Sequence, residues 1–570
     1  MSDTVSISRA RRFLLVGLML SGFALLAARS AQLQLLDGEF LQGQADARHL
    51  RVVQVPAHRG MISDRNGEPL AISTPVQSVW ANPRELVAGP GDLARVAALL
   101  DTKVEHLQRL LGQRKDREFV YLSRHLTPDI AQQVAALDIP GIYLQQEYRR
   151  YYPAGEVAAH LIGFTDVDDH GQEGLELAYD QWLSGEPGAK RVVKDGRRDI
   201  VENVENIRSA HPGKALTLSM DRRIQYLAYR ELKAAVRQHQ AHSGSVVVLD
   251  SRSGEVLALA NQPSFNPNNR KRLKADRLRN RAMTDVFEPG STMKPFIIAA
   301  ALQSGRYLPG TEIDTSPGVF QVGTHTIHDT HDYGVLDLTG VIRKSSNVAA
   351  SKIALTLEPE RIWRGYSKSG FGITTGSGFP GEADGYLADY HRWRDIERAT
   401  MSYGYGLSAT SMQLADAYSV FANDGYRVPV TLMRRDDGES VEKQRVFSPQ
   451  IARVVRRMME SVVQSDGTAP LAAVSGYRVA GKTGTVHKSE AGGYSKHRYV
   501  ALFAGMAPAS DPRLVIVVVI SEPAGKEHYG GQVAGPVFSR VMSGALRLMN
   551  IAPDAESLLQ TRRTDAEGPA

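Results

Sequence analysis

The spacing of apolar positions divides this 570-residue chain into stretches of different character. Residues 13–28 form one unbroken apolar run; Arg29 interrupts it, and the segment continues to Leu36. From 52 to 67, alternation leads into Asp64-Arg-Asn-Gly67, which predicts strand, turn and strand. Between 88 and 137 the spacing is helical, as in Leu93, Val96, Leu99 and Leu100. Residues 216–225 predict a strand running into a helix capped by Ser219 or Asp221. Residues 244–250 and 255–260, joined by a Ser-Arg-Ser-Gly turn, predict a hairpin, and 500–506 and 514–520 add two strands around Asp511-Pro512. Strands at both ends of a helix-rich stretch predict an α+β domain built on an antiparallel sheet. From Ala552 the chain is polar without periodicity, so 551–570 is expected to be a disordered tail.

Composition narrows the setting. A chain of this length is too long for one compact core, and at least two soluble domains are expected. The net charge of +6 permits attraction to anionic surfaces. No basic patch interleaved with aromatics is present, so nucleic acid is not an expected partner. There is no cysteine, which excludes disulfides, thiol nucleophiles and Cys-based zinc sites. Arg9, Arg11 and Arg12 precede the apolar run and hold that end in the cytoplasm. The run is shorter than the roughly 20 residues that span a bilayer, but Arg29 can snorkel to the far interface. A signal-peptide cleavage site is poorly formed, because Arg29 directly follows Ala27-Ala28. The expected organisation is a cytoplasmic tail (1–12), a single-pass anchor (13–36), a pedestal (37–211), a second domain (212–550) and the tail (551–570).

Three short motifs carry the chemistry. Ser291-Thr-Met-Lys294 follows the breaker Pro289-Gly290 and opens an apolar helix, so Ser291 sits where free amides favour a developing oxyanion. Lys294 lies three residues on, on the same face; desolvated and neutral, it can take the serine proton. Ser345-Ser-Asn347 falls in a turn between helical stretches, where Ser345 can relay protons and Asn347 can bond a peptide carbonyl. Lys482-Thr-Gly-Thr485 reads as strand: Lys482, Thr483 and Thr485 suit a terminal carboxylate, and Gly484 lets a substrate backbone approach. The amide of Thr485 could complete an oxyanion pair with that of Ser291. Taken singly, each motif is also explained by an ordinary cap, turn or strand.

Each motif has a decoy. Ser440-Val-Glu-Lys443 is flanked by acids and opens no helix, Ser264-Phe-Asn266 copies the second motif, and Lys368-Ser-Gly370 reads as a helix C-cap. His325, His328 and His331 suggest a metal string, but on a strand 325 and 328 face opposite sides, so no metal is expected and the segment reads as a loop beside the cleft.

The three motifs in this order resemble the penicilloyl serine transferases. Ala57-His-Arg-Gly-Met-Ile-Ser-Asp-Arg-Asn-Gly-Glu-Pro-Leu70, Arg150-Tyr-Tyr-Pro153, Phe164-Thr-Asp-Val-Asp168 and Tyr403-Gly-Tyr-Gly406 extend the resemblance over roughly residues 10–550, to class B penicillin-binding proteins of the septal type from Gram-negative bacteria. The resemblance implies an elongated pedestal and a penicillin-binding, serine β-lactamase-like transpeptidase domain with a helical cluster beside its sheet, located in the periplasm at the inner membrane. It implies a peptidoglycan D,D-transpeptidase acting on stem pentapeptides of lipid-linked nascent strands, without a cofactor, and acylated by β-lactams. By the same resemblance Ser291 is the nucleophile, Lys294 the base, Ser345 the relay and Lys482 a further catalytic residue. Asn347, Thr483, Gly484 and Thr485 contact substrate, and Tyr405 and Tyr529 are cleft-wall aromatics, with plain packing as their alternative. A membrane glycan polymerase and other division proteins are the implied partners. The chain departs from the pattern at His487, where septal members tend to carry a basic residue. A serine β-lactamase would have no use for pedestal or anchor, a bifunctional enzyme would need a paired acidic motif not found between 37 and 210, and a non-catalytic β-lactam sensor or division scaffold is the alternative from another class.

Overall fold

In the computed structural model the described residues are 9–36, 50–89, 91–194, 200–271, 273–436, 438–490 and 493–555, so most of the expected tail lies outside them. The apolar run forms helix α1 (Arg9–Ala31), followed by a wider π-type turn at Gln32–Leu36. Arg29 does not end the helix; its Nη1 donates to Gln32 Oε1 at 2.8 Å. The helical stretch of 26 residues is long and apolar enough to cross a membrane, and none of it is buried against protein.

The chain packs as two units. One comprises residues 1–58, 75–148 and 185–213. It holds an antiparallel sheet in the order Leu50–Val55, Gly188–Lys194, Ile200–Arg208. Its core is built from Val79, Ala81, Val96, Leu107, Leu122 and Val134. The helical stretch expected over 88–137 is interrupted: helices Asp92–Leu99, Val104–Gln113 and Pro128–Ala135 flank a strand, Val120–Leu126. Phe119-Val-Tyr-Leu122 carries the aromatic and β-branched residues that favour a strand there.

The other unit comprises residues 59–74, 149–184 and 214–570. The expected boundary at 211/212 therefore does not follow the packing: two stretches assigned to the pedestal fold with the C-terminal domain. A strand pairing ties the first stretch to the C-terminal domain, and a buried charge cluster ties the two stretches to each other. Arg59 and Glu176, both fully buried, pair at 2.8 Å, Arg150 Nε reaches Glu176 at 2.6 Å, and Ile62–Ser63 runs parallel to Leu216–Thr217. Buried ions are tolerated only when paired this closely.

Helix α2 (Arg222–Gln238) is capped by Asp221, whose side chain accepts from the Arg223 amide; Ser219 instead bonds the Val256 carbonyl. Strands β1 (Ser243–Asp250) and β2 (Val256–Gln262) form the expected hairpin. Helix α3 (Lys294–Gln303) follows a single 3-10 turn, Gly290–Met293. Helices α4 (Leu338–Lys344) and α5 (Asn347–Thr356) meet at the second motif. Helix α6 (Ser411–Ala422) is apolar on nearly all sides, and all twelve of its residues are buried. Strands β3 (Ala480–Glu490), β4 (Gly493–Ala507) and β5 (Leu514–Ser521) and helix α7 (Gly535–Leu548) complete the unit. The sheet runs β2-β1-β5-β4-β3, antiparallel throughout, with β3 at one edge. Every residue of β1 and β2 is buried, so both faces are covered.

The first residues of the expected tail are ordered. Tyr477 donates to the Ile551 carbonyl at 2.6 Å, and Asp554 accepts from the Arg478 amide at 2.7 Å and from Ser510 Oγ at 2.7 Å.

Candidate active site

Because β3 is an edge strand, one side of its backbone has no strand partner. The turn that carries Ser291 packs against the middle of β3: a Cβ on Gly290 would fall 2.4 Å from Val486 Cγ1. From behind, the Gly290 amide donates to the Gly404 carbonyl at 3.1 Å, and a Cβ on Gly404 would lie 2.1 Å from the Gly290 oxygen. The Tyr403-Gly-Tyr-Gly406 segment thus fixes the turn by close backbone approach. Ser291 is half-buried at the start of the helical segment, while Lys294 is completely buried.

Lys294 Nζ lies 2.9 Å from Ser291 Oγ, 2.5 Å from the Ser345 carbonyl, 3.1 Å from Ser345 Oγ and 2.8 Å from Asn347 Oδ1. A neutral amine accounts for this shell: two hydrogens go to Ser345 and Asn347, and the lone pair is left for the serine hydroxyl. Burial, then the neighbouring Lys482 charge, hold Lys294 well below the usual lysine range, opposed by Asp329. Lys482 is also completely buried, and burial lowers its pKa to about 7. Lys482 Nζ donates to Ser345 Oγ at 2.9 Å and lies 3.2 Å from Thr483 Oγ1.

Ser345 reaches both lysines because its backbone is left-handed, φ 62°, where α4 ends. Ser346 then caps α5, accepting from the Ala349 amide at 2.9 Å. Asp329 secures the junction. It accepts from Ser346 Oγ at 2.5 Å and from the amides of Asn347 and Val348 at 2.5 and 3.1 Å. Nothing in the local sequence marks Asp329, since it acts across 17 residues. His325–His328 forms a two-stranded hairpin with Val319–Val322 beside this junction, and the His328 carbonyl accepts from Asn347 Nδ2 at 3.1 Å. Asn347 is thus held at both ends of its amide, with one Nδ2 hydrogen left over.

Ser291, Lys294, Ser345, Asn347 and Lys482 therefore form one hydrogen-bonded cluster, joined by Thr483, whose hydroxyl also meets Thr468 Oγ1 at 3.0 Å. Thr485 Oγ1 accepts from the Gly530 amide at 2.9 Å, which brings the exposed Tyr529 alongside. The rings of His487, Tyr499, His528 and Tyr529 succeed one another at centroid separations of 4.6, 4.4 and 4.4 Å. The Tyr405 hydroxyl is bonded to the His487 backbone, and burial raises its pKa. Gly484 also has a structural reason to lack a side chain. A Cβ there would meet Leu502 Cγ at 2.7 Å and the Pro289 oxygen at 3.0 Å, so its bareness admits neighbouring protein.

A second acid, besides Asp329, escaped sequence reasoning. Glu288 Oε1 accepts from the Gly406 amide and the Tyr494 hydroxyl, each at 2.9 Å, and burial raises its pKa. The decoys lie elsewhere. Ser264 Oγ donates to the Glu156 carbonyl at 2.7 Å, Lys368 ends a helix closed by Gly370 at φ 101°, and Ser440 and Lys443 are exposed. Among the described residues no group of three or more His, Asp or Glu is arranged to hold a metal ion.

The chain matches two family models, the penicillin binding protein transpeptidase domain over residues 244–543 and the penicillin-binding protein dimerisation domain over 54–218. It is 44% identical to the peptidoglycan D,D-transpeptidase FtsI of Escherichia coli K12 over 95% of this chain and 92% of that protein. It is 43% identical to the probable peptidoglycan D,D-transpeptidase PbpC of Pseudomonas aeruginosa over 95% and 94%. Among solved structures, the transpeptidase domain of Burkholderia pseudomallei penicillin-binding protein 3 is 47% identical, with a TM-score of 0.56 over 60% of this chain and 98% of that one. Penicillin-binding protein 3 of Mycobacterium tuberculosis complexed with aztreonam is 30% identical, with a TM-score of 0.69 over 88% and 98%. The full extent of these matches, spanning both the motif-bearing domain and the segment before it, makes this chain a member of the penicillin-binding protein transpeptidase family.

Proposed function

We propose that this protein is a septal-type peptidoglycan D,D-transpeptidase, anchored in the inner membrane by α1 with its catalytic domain in the periplasm. The observation that carries the catalytic reading is the contact between the buried Lys294 amine and Ser291 Oγ at 2.9 Å. Neutral Lys294 takes the hydroxyl proton as Ser291 Oγ attacks the penultimate D-alanine carbonyl of a stem pentapeptide. The oxyanion is met by the amides of Ser291 and Thr485. The proton passes by way of Ser345 to the leaving nitrogen, the peptide bond breaks, and D-alanine departs. A side-chain amine of a neighbouring strand then attacks the ester, loses a proton to the same relay, forms the cross-link and returns Ser291 to its hydroxyl form. Lys482, Thr483 and Thr485 hold the terminal carboxylate, Asn347 donates to a substrate carbonyl, and Tyr405 and Tyr529 wall the cleft. The net charge of +6 suits a surface working on anionic strands. A membrane glycan polymerase and other division proteins are the partners this reading calls for. In domain terms, α1 is the anchor, residues up to about 211 serve chiefly as pedestal, and residues to 550 hold the transpeptidase.

The test is intact-mass spectrometry of the protein after penicillin treatment, followed by peptide mapping. One penicilloyl adduct on Ser291, absent from Ser291→Ala, is expected. An unmodified protein, or an adduct at another residue, would refute the proposal.

A further inference from the structure

Helix α2 has two faces. Ile224, Ala228, Leu232 and Ala235 are buried in the core. On the other side Arg222, Tyr226 and Arg230 recur every four residues, and Tyr226 is 54% exposed. Alongside them α7 ends in Arg547 and Leu548. Between the two helices lies a concave groove of about 870 Å³. Its floor is apolar, with Val157, Leu227 and Leu548, and its rim carries Arg222, Arg223, Arg230 and Arg547. No acidic side chain lines it. A second arginine-rich cavity, between α6 and the segment around Arg478, differs: there Asp424 and Glu460 in the lining take up Arg453, Arg456 and Arg478.

The groove arginines keep capacity for a ligand. Arg222 meets Glu68 through one nitrogen at 3.3 Å, Arg223 turns to Asp221, and Arg230 turns to Glu231. The three guanidiniums stay largely solvent-exposed, although Arg223 holds the buried Asp221 through two hydrogen bonds. Each guanidinium has five donors, so each can take a second carboxylate. Among the described residues no ion pair engages Arg547; its Nε donates to the Ser543 carbonyl at 3.3 Å.

We propose that this groove is a docking site for an acidic, amphipathic helix of a partner protein. From Arg222 to Arg230 is about 12 Å, roughly two turns of a docked helix. A helix lays an apolar ridge into such a floor while acids on its flanks meet the arginine rim. The concavity favours a helix over a flat lipid surface. Arginine and a half-exposed tyrosine are also the side chains that concentrate binding energy at protein interfaces.

The test places p-benzoylphenylalanine at position 226 of the full-length protein in cells, irradiates, and sequences the cross-linked peptide. The expected adduct is a segment rich in Asp and Glu with apolar residues at helical spacing. It should fall at least tenfold in the Arg222→Glu, Arg230→Glu double variant, while labelling of Ser291 by a fluorescent penicillin stays within twofold and reports an intact fold. No adduct, an adduct to lipid, an adduct to a segment without acidic residues, or an adduct that survives the charge reversal overturns the proposal.

Discussion

Lys482 Nζ donates to Ser345 Oγ at 2.9 Å, and the same hydroxyl stands 3.1 Å from Lys294 Nζ, so one serine joins two buried amines from distant parts of the chain. Deleting that hydroxyl while relaxing its left-handed backbone separates chemistry from stability. Ser345→Gly is expected to leave the melting temperature unchanged or raised, because glycine accepts φ 62° without strain. Acylation by penicillin should fall about 10²- to 10⁴-fold, the usual worth of a positioned proton relay. Stopped-flow acylation with calorimetry checks both halves.

Burial holds Lys294 well below the usual lysine range, which sets the pH response of acylation. The second-order rate constant for penicillin is expected to reach its plateau at a pH well below that of an ordinary lysine amine, and to fall on the acid side as the amine gains its proton. A rate still climbing tenfold per unit between pH 8 and 10 would mean that the base is an ordinary lysine.

Lys482 gives a stability signature. Its folded pKa of about 7 lies below the unfolded value, so between about 7 and the usual lysine value the unfolded chain binds more protons and stability rises with pH. Below that window the desolvation penalty is present in full. Lys482→Met should raise the unfolding free energy at pH 7 by about 1–4 kcal/mol while abolishing activity. It should also flatten the rise in stability between pH 7 and 10, which denaturant titrations at several pH values would reveal.

Asp329 positions the second motif without facing Ser291. Asp329→Ala removes the acceptor for two amides of α5 and for Ser346, so it should cost about 1–2 kcal/mol of stability. It should also lower the acylation rate at least tenfold by loosening Asn347. Asp329→Asn keeps an acceptor oxygen and should recover most of the stability. Equal acylation rates in wild type and Asp329→Ala would remove its positioning role.

At His487 the ring is committed to structure: Nδ1 donates to the Ser495 carbonyl at 2.8 Å, and the ring packs on Tyr499. His487→Arg supplies a permanent cation at the cleft edge. It should raise acylation by carboxylate-bearing β-lactams about two- to fivefold, the range of a partly exposed ion pair, and leave uncharged analogues unaffected.

What could be read from the chain followed the range of each interaction. Ser291 and Lys294 lie within one helical turn, so local spacing and the Pro289-Gly290 break suffice to pair them. The hairpin of β1 and β2 and the β-branched run of β5 are equally local. Convergence of Lys482 on Ser345 spans 137 residues and comes from the order of strands in the sheet, which periodicity does not reveal; family resemblance supplied it. Asp329, Glu288 and the contact of Gly484 with Leu502 carry no local mark. The split of the first 213 residues between two units was hidden for the same reason, since Arg59 finds Glu176 117 positions away.

The placement of β3 at the sheet's margin has a wider consequence. An unpaired strand edge is normally a hazard, because any extended polypeptide can add to it and seed aggregation. Here that promiscuity is confined: the Gly290 turn packs against Val486 and Tyr529 stands beside Thr485. On the function proposed above, what would be a liability on an open surface serves as a slot for one main chain at a time, met by backbone amides and carbonyls as well as by side chains. By the same proposal, a rigid mimic of an extended dipeptide can enter such a slot as readily as the real polymer.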